Sequence, residues 1–388
     1  MKPLSLSTVF KKRSSGDQMQ NEIQIQDILH LKSIPKISDR KIINLVNHFG
    51  NTKEILSVEP RKLIKVPGIK EQDASLIRHS VFNQQAIEKQ FSLLNKVDGR
   101  IISLWDNEYP AQLKNIYDPP ALLFVRGKLH VDDNFSIAIV GTRHPTAYGK
   151  QHAEHFAQEL ARRGITVVSG LARGIDTIVH KSTLHQHGRT VAVLGGSIDR
   201  IYPGENEKLV EVIESKNNGA VISELLMSTP SHPAFFPRRN RIISGMSLGT
   251  LIIESDRNGG AMITATTAID QNRELFALPG NISEKKSYGT NTLIKSGQAK
   301  LVQSVDDILD ELAVPLQAVI TSKPHKVEPP TLNVFEQKIY DVMTLDPLHI
   351  DVISEQSGLT TSDVLVNLLS LEFKGIVLQM AGKMFRRV

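Results

Sequence analysis

The sequence predicts an α/β protein built around a parallel sheet, with a helical region before the sheet and a small mixed domain after it. Three observations lead to this prediction. Between residues 136 and 277, short apolar runs alternate with segments of helical spacing. Before residue 97, apolar residues recur at three- and four-residue intervals. After residue 334, helical segments lead into two short strand-like runs that suit a hairpin.

Length and composition restrict the class of protein further. The chain has 388 residues, which is long for one domain and indicates two or three. No apolar run approaches the roughly 20 residues that span a bilayer, so we expect no membrane association. Met1–Arg13 is basic without a long apolar core, and we expect no secretory signal. The absence of cysteine excludes disulfides and thiolate zinc sites, and fits a cytoplasmic chain.

Charge is distributed unevenly along the chain. Residues 1–96 hold 16 Lys and Arg against 9 Asp and Glu, a net charge of +7. Residues 97–312 hold 23 against 24, and residues 335–388 hold 5 against 7. The long middle region is therefore not broadly basic. Any contact with nucleic acid there must come from a local cluster of cations.

The first elements are predicted to be helical. Residues 1–22 are polar and basic and suit a disordered tail. Residues 23–96 suit a helical domain, with one apolar face formed by Ile42, Leu45, Val46 and Phe49. The turn around Pro67 and Gly68 resembles a helix-hairpin-helix or SAM-like domain, whose backbone N–H groups can hold a DNA phosphate. A packing role is the alternative for this turn, and the sequence leaves both open.

The middle region, residues 97–312, is predicted to form a Rossmann-like domain with a connecting segment at its start. Its short apolar runs are candidate strands, and the intervening helices centre near residues 155, 180, 210, 243 and 267. A further helix is expected near Val305–Leu312. Strands that alternate with amphipathic helices indicate a parallel sheet covered on both faces. The candidate strands are Ser136–Val140, Thr166–Ser169, Thr190–Leu194, Ala220–Ser223, Thr250–Glu254 and Glu274–Ala277.

The last elements form a separate domain. Residues 313–334 contain four prolines and suit a linker. In residues 335–388, helices around Phe335–Met343, Ile350–Glu355 and up to Phe373 precede a hairpin, which together predict a winged helix. The acidic balance of this domain favours packing or protein contact over duplex DNA binding.

The carboxyl ends of the predicted strands carry the candidate site. In an open parallel sheet, ligands bind at these ends. Glycines let phosphates approach backbone N–H groups, arginines bind phosphates in a bidentate manner, and aromatic rings stack on bases. The sequence therefore predicts a polyanion groove with these candidate DNA-binding residues: Gly141, Thr142, Arg143, Ser169, Gly170, Arg173, Gly174, Phe236, Arg238, Arg239 and Asn240.

A structural explanation of the same residues stays open. Glycines follow strands in many α/β proteins, and Phe235 and Phe236 suit a core as well as a stacking surface. Arg241 and Asp176 could simply pair inside the fold. The combination of all these residues at one end of one sheet favours a groove.

The sequence lacks the usual signs of a cofactor, metal or catalytic site. Gly141 is not followed by the three-glycine dinucleotide fingerprint, and no phosphate-binding P-loop or Gly-x-Ser-x-Gly nucleophile motif occurs. His180, His185 and His187 lie close in sequence without matching acids. Glu224, Glu254 and Asp256 have no nucleophile to pair with. We therefore expect no cofactor, no metal and no catalytic residue.

Several motifs resemble the DNA-processing protein A (DprA, or Smf) family. They are IVGTR at 139–143, SGLARGID at 169–176, YPGEN at 202–206, FPRRNRIISG at 236–245 and ITATTAIDQNRELFALPG at 263–280. The resemblance implies single-stranded DNA binding, homodimerisation, protection of incoming DNA and help in loading the RecA recombinase during natural transformation or recombination. It places pocket residues at Arg143, in loop 169–174 and in Phe236–Arg239. Many relatives have serine at the position of Thr142, and the threonine keeps the hydroxyl group of that serine.

Two other functions compete with DNA binding. A nucleotide phosphoribohydrolase of the lysine-decarboxylase-like group has a related core and a Pro-Gly-Gly-x-Gly-Thr-x-x-Glu motif. The nearest segment here is Ser247–Thr250, and its acid, Glu254, comes one residue too late. An assembly factor that acts mainly through its end domains is the other alternative. The family resemblance favours a DNA-binding protein that is not an enzyme.

Overall fold

A computed structural model of the protein describes residues 23–215, 218–312, 332–344, 347–373, 376–380 and 384–387. The predicted tail, residues 1–22, lies outside the described residues, as does most of the predicted linker, residues 313–331. The chain divides into two compact units, residues 1–317 and residues 318–388. No helix in the described ranges is both long and apolar enough to cross a membrane.

The first unit begins with a helical region of six helices. Ser38 caps the second helix by accepting a hydrogen bond from the Lys41 N–H, and Gly50, at φ 68°, ends it in the left-handed conformation. The apolar face predicted for this helix is confirmed, because Ile42, Leu45 and Val46 are buried in the core. The helices are α1 (Ile25–Ser33), α2 (Asp39–Phe49), α3 (Thr52–Ser57), α4 (Pro60–Leu63), α5 (Glu71–Arg78) and α6 (Gln84–Lys96).

A nine-stranded sheet follows, in the order β1-β2-β6-β5-β4-β3-β7-β8-β9. Seven of these strands, β3 to β9, are parallel, whereas β1 and β2 pair antiparallel at the edge beside β6. The parallel arrangement predicted for the six strands β3 to β8 is confirmed, and β9 was not predicted. The strands are β1 (Arg100–Ser103), β2 (Leu122–Gly127), β3 (Ser136–Val140), β4 (Thr166–Ser169), β5 (Thr190–Val193), β6 (Gly219–Ser223), β7 (Gly249–Ile252), β8 (Glu274–Ala277) and β9 (Lys300–Leu301). The antiparallel edge was not expected from the alternation of strands and helices.

Helices cover both faces of the sheet, so every residue of the central strands β3 to β7 is buried. One apolar cluster joins the helical region to strand residues such as Phe124, Ala192 and Val221. A second cluster fills the opposite face. The helices are α7 (Ala111–Lys114), α8 (Ala147–Arg162), α9 (Ile175–His185), α10 (Glu207–Glu214), α11 (Phe235–Met246), α12 (Gly260–Asp270), α13 (Tyr288–Lys295) and α14 (305–312).

The second unit has its own core of buried residues, among them Ile339, Ile353, Leu368 and Phe385. A capping box between Asn333 and Glu336 starts its first helix. The three helices and the hairpin are those predicted for a winged helix. The elements are α15 (Val334–Val342), β10 (Leu348–His349), α16 (Ile350–Ser357), α17 (Thr361–Phe373), β11 (Val377–Met380) and β12 (Met384–Arg387), with strand order β10-β12-β11.

Candidate nucleic-acid interface

Three glycine-containing loops meet at the carboxyl edge of the sheet, because β3, β4 and β5 are neighbours. The first two loops touch directly: the Ile175 N–H donates to the Thr142 carbonyl oxygen at 3.2 Å. Gly174 has φ 77°, and a Cβ there would lie 2.4 Å from the same oxygen. Only glycine therefore allows this approach. We call the surface formed by loops 141–143, 170–174 and 195–196 together with Phe236 the groove.

Arg143 is the exposed cation of the groove that has no acidic partner among the described residues. Its guanidinium carbon lies 5.3 Å from the centroid of the Phe236 ring, within the range of a cation–π contact. It forms no ion pair with any residue that the structure describes. An exposed arginine without an acidic partner, held beside an aromatic ring, is well placed to bind a phosphate.

The Phe236 ring is half-buried and faces a second aromatic ring. A Cβ on Gly195 would lie 2.8 Å from Phe236 Cδ1, so the ring packs directly on the third loop. The Tyr202 ring lies 6.1 Å away, centroid to centroid, and Tyr202 is 49% exposed. Two adjacent aromatic rings at the surface can stack on bases. Sequence reasoning quoted Tyr202 only within a family motif and did not assign it to the site.

Arg239 is buried beneath the groove and does not reach its surface. Its Nη1 donates to the carbonyl oxygens of Gly170 and Val193, and its Nε donates to Asn240 Oδ1 at 3.2 Å. Gly170 is essential here, since a Cβ would lie 2.3 Å from Nη1. Burial lowers the pKa of Arg239 to about 10, which still leaves it charged at neutral pH. Arg239 thus ties the ends of β4 and β5 together.

Asp176 and Ser169 also shape the groove from below. The Asp176 carboxylate accepts hydrogen bonds from the N–H groups of Gly170 at 3.2 Å and Ala172 at 3.4 Å. Burial raises its pKa, although Arg239 opposes this effect. The Ser169 hydroxyl donates to the Ile139 carbonyl oxygen at 2.7 Å. Both side chains are buried, so they hold the loops rather than face a ligand.

The other predicted arginines of the site have acidic partners. Arg173 pairs with Glu205 at 3.1 Å, and both side chains are more than half exposed. Arg238 lies between Glu224 at 2.9 Å and Asp39 at 3.2 Å. The expected alternative that Arg241 pairs with Asp176 is wrong, because Arg241 pairs with Glu224 at 2.6 Å and with Asp118 at 3.0 Å.

Glu254 follows β7 and fills the place where a Rossmann fold would hold a pyrophosphate, the start of the helix after the first strand. The Thr146 N–H, at the start of α8, donates to Glu254 Oε2 at 2.9 Å. A Cβ on Gly149 would lie 2.2 Å from the same atom. The carboxylate already occupies this helix terminus, where an anionic ligand would meet like charge.

The histidines do not gather into a metal site. His180 is buried, and its Nδ1 donates to the Thr190 hydroxyl at 2.7 Å, which donates in turn to the Val167 carbonyl oxygen. Burial lowers the pKa of His180 to about 3, so the ring is neutral. Within the described ranges, no three His, Asp or Glu side chains are grouped closely enough to hold a metal ion.

Fold and site together define a Rossmann-like protein with a C-terminal winged helix. The model of the DNA recombination-mediator protein A family matches residues 100–313, and that of the DprA winged helix domain matches residues 323–383. The chain belongs to the DprA/Smf family, as the sequence motifs indicated.

Individual relatives agree with this assignment. Protein Smf of Escherichia coli is 35% identical over 305 residues, which cover 78% of this chain and 81% of that protein. The X-ray structure of DprA from Streptococcus pneumoniae is similar with a TM-score of 0.66 and 31% identity, over 75% of this chain and 98% of that one. A structure of DNA processing protein A from Helicobacter pylori, concerned with its single-stranded DNA binding mode, is similar with a TM-score of 0.50 and 31% identity. The match covers 56% of this chain and 96% of that one.

Proposed function

We propose that the protein binds single-stranded DNA in the groove, protects incoming DNA and helps to load the RecA recombinase in natural transformation or recombination. The observation that carries DNA binding is the exposed Arg143 beside the Phe236–Tyr202 ring pair. The cation supplies a phosphate contact, and the rings supply stacking surfaces. The relative from Helicobacter pylori, whose single-stranded DNA binding mode has been studied, supports the same function.

Not all eleven residues predicted for the site have the same role in this proposal. Arg143, Phe236, the side chain of Thr142 and the backbone of Gly141 and Gly174 would contact DNA. Gly170 is buried, and its N–H and carbonyl already bind Asp176 and Arg239, so it would hold the loops. Arg173 is exposed and would exchange Glu205 for a phosphate. Ser169, Arg239 and Asn240 are buried and would hold the loops in place. Arg238 is a separate case, because two buried carboxylates hold it.

Preference for single strands follows from the aromatic pair. In a duplex the base faces are stacked on one another and unavailable, whereas in a single strand they can stack on protein rings. A gel shift that compares one oligonucleotide as a single strand and as a duplex, at the same salt concentration, tests this proposal. Tighter binding of the single strand is expected. Equal affinity for the two forms would contradict it.

Phe236→Ala should weaken binding of single strands while leaving its salt dependence nearly unchanged. Stacking contributes about 1–3 kcal/mol per base and displaces no ions. The measurement is affinity for a single-stranded oligonucleotide at several salt concentrations. Phe335→Ala, which removes an exposed ring of the winged helix, serves as the control and should have no effect. Unchanged affinity in Phe236→Ala would exclude a stacking role for this ring.

Homodimerisation and the RecA partnership rest on family membership. Sedimentation at micromolar concentration tests the dimer, and a monomer there would count against it. Loading of RecA is tested by the rate at which RecA displaces a single-strand-binding protein from DNA, with and without this chain. No acceleration by the protein would contradict this part of the proposal.

We propose that the protein works without cofactor, metal or catalysis. Glu254, the acid of the competing phosphoribohydrolase hypothesis, accepts hydrogen bonds from both the N–H and the hydroxyl of Thr146, so its two carboxylate oxygens are engaged at a helix terminus. An assay for release of base from nucleoside monophosphates, and for ATP hydrolysis, tests this point. Turnover that survives purification and is lost in Glu254→Gln would overturn it.

The proposed domains keep the limits drawn from the sequence: helical 23–96, Rossmann-like 97–312, linker 313–334 and winged helix 335–388. The shared core of the helical region and the sheet means that the first two pack together as one unit. Deletion of residues 315–388 tests whether the winged helix contributes to DNA binding, and the acidic balance of that domain predicts that it does not.

A further inference from the structure

A network of charged side chains, most of them buried, links the helical region to the carboxyl edge of the sheet. Asp39, the first residue of α2, accepts a hydrogen bond from Lys32 Nζ at 2.5 Å and lies 3.2 Å from Arg238 Nη2. Arg238 Nη2 also lies 2.9 Å from Glu224 Oε2, and Glu224 follows β6. Arg241 completes the network between Glu224 and Asp118.

Arg238 is the only strongly exposed cation of this network. The side chains of Asp39 and Glu224 are 5% and 4% exposed, and those of Lys32 and Arg241 are 10% and 9% exposed, whereas that of Arg238 is 45% exposed. Burial opposes ionisation of Asp39, but Lys32 and then Arg238 and Arg241 outweigh it and lower the pKa of this carboxyl. Asp39 therefore stays charged and holds the guanidinium.

The place of Arg238 in the fold continues the groove. Arg143 follows β3, Phe236 packs on the loop after β5, and Glu224 follows β6. Because neighbouring strands lie about 4.8 Å apart, the edge from β3 to β6 spans about 14 Å, which is the length of a few nucleotides. A strand of DNA that crosses Arg143 and Phe236 would next meet Arg238.

The charges around Arg238 are balanced without DNA. Three cations, Lys32, Arg238 and Arg241, face three acids, Asp39, Glu224 and Asp118. Burial raises the pKa of Glu224, and Arg241 and Arg238 oppose this rise. A phosphate on Arg238 would add a negative charge beside two buried carboxylates that solvent screens poorly. Arg238 can bind a phosphate well only if it moves away from Asp39.

We infer that Asp39 competes with the DNA phosphate for Arg238, so that the helical region restrains the β6 end of the groove. This inference rests on the proposed function. Asp39 is a positioning residue: it contacts no DNA and acts through Arg238. Because coupling between two sites is reciprocal, DNA that takes Arg238 also loosens the helical region from the sheet.

Asp39→Asn in the full chain should bind single-stranded oligothymidine about 5-fold or more tighter than the wild type, the lower end of a usual coupling. The plot of log affinity against log salt should steepen by about 0.7, the value for one added phosphate contact on a single strand. Asp39→Asn/Arg238→Gln should lose both gains, since the effect passes through Arg238.

Two variants guard against a purely structural effect. Lys32→Met/Asp39→Asn removes both partners, leaves no unpaired ammonium and should bind as tightly as Asp39→Asn. Asp73→Asn is the matched control, because Asp73 is a buried carboxylate of the same helical region that pairs with Lys41 and not with Arg238. It should leave affinity and salt dependence unchanged.

Hydrogen exchange of the wild type gives a measurement that needs no variant. Oligothymidine should speed exchange of the amides of α1 and α2. The inference fails if neither Asp39 variant steepens the salt dependence and hydrogen exchange in α1 and α2 does not rise. The proposed function still stands in that case, provided that the wild type binds oligothymidine and Arg143→Ala weakens this binding. If the wild type does not bind single strands at all, the proposed function fails first.

Discussion

Replacing Arg143 with alanine should weaken the binding of single-stranded DNA about 10- to 100-fold, because a charge-assisted hydrogen bond contributes about 1.5–3 kcal/mol. The slope of log affinity against log salt should fall by about 0.7, since one phosphate contact fewer releases fewer counterions. The loss should be the same for all base sequences, as phosphates carry no base identity. Titrations of one labelled oligonucleotide at four or five salt concentrations measure both quantities.

The matched control for this experiment is Arg162→Ala. Arg162 is an exposed arginine at the far end of α8, the helix that starts just beyond Arg143, and lies away from the carboxyl edge of the sheet. The Arg162→Ala variant should bind single-stranded DNA with the same affinity as the wild type. A normal slope in Arg143→Ala, in protein with an unchanged melting temperature, would show that DNA lies elsewhere on the molecule.

Arg239→Met should instead destabilise the fold, by about 3–5 kcal/mol in the free energy of unfolding. The substitution keeps much of the volume but removes the donors to Gly170 and Val193 and the positive charge beside Asp176. It leaves two buried carbonyl groups without their side-chain donor and a buried carboxylate without the nearby positive charge that stabilises it. Denaturant unfolding followed by circular dichroism measures the change.

The double variant Arg239→Met/Asp176→Asn tests the cause. If the buried carboxylate is responsible for part of the loss, the double variant should lose less free energy of unfolding than the two single variants lose together. If Arg239→Met lowers the free energy of unfolding by less than about 1 kcal/mol, the structural role is contradicted. Arg239 would then be assigned to the surface of the groove.

The arginines predicted for the site thus have different environments. Arg143 is exposed and without an acidic partner in the described structure, Arg238 is half-exposed between two carboxylates, and Arg239 is buried. Residue type and spacing predicted that arginines gather here. They could not distinguish these environments, because exposure depends on which way α11 faces and on acids that lie far away in the sequence, such as Asp39.

Sequence patterns predicted the central elements closely. The limits of β3, β4 and β8 agree with the observed strands, since both faces of a parallel sheet are buried and the apolar runs end where the strands end. The predicted strand Thr250–Glu254 is observed as Gly249–Ile252. Glu254 lies beyond it because its carboxylate turns to the start of α8. The antiparallel strands β1 and β2 were missed as a pair because only α7, a helix of 4 residues, lies between them, which is too short to give the alternating pattern.

The sequence by itself determined the order of elements, the winged helix, the family and the loops that carry the groove, because hydrophobic periodicity and glycine-rich motifs are local properties of the chain. Only the tertiary structure decided which side chains are available to a ligand. Arg239 and Asp176 are buried together, Tyr202 joins Phe236, and Asp39 reaches Arg238 across nearly two hundred residues. The physical reason is that burial and ion pairing depend on long-range packing, which local spacing does not encode.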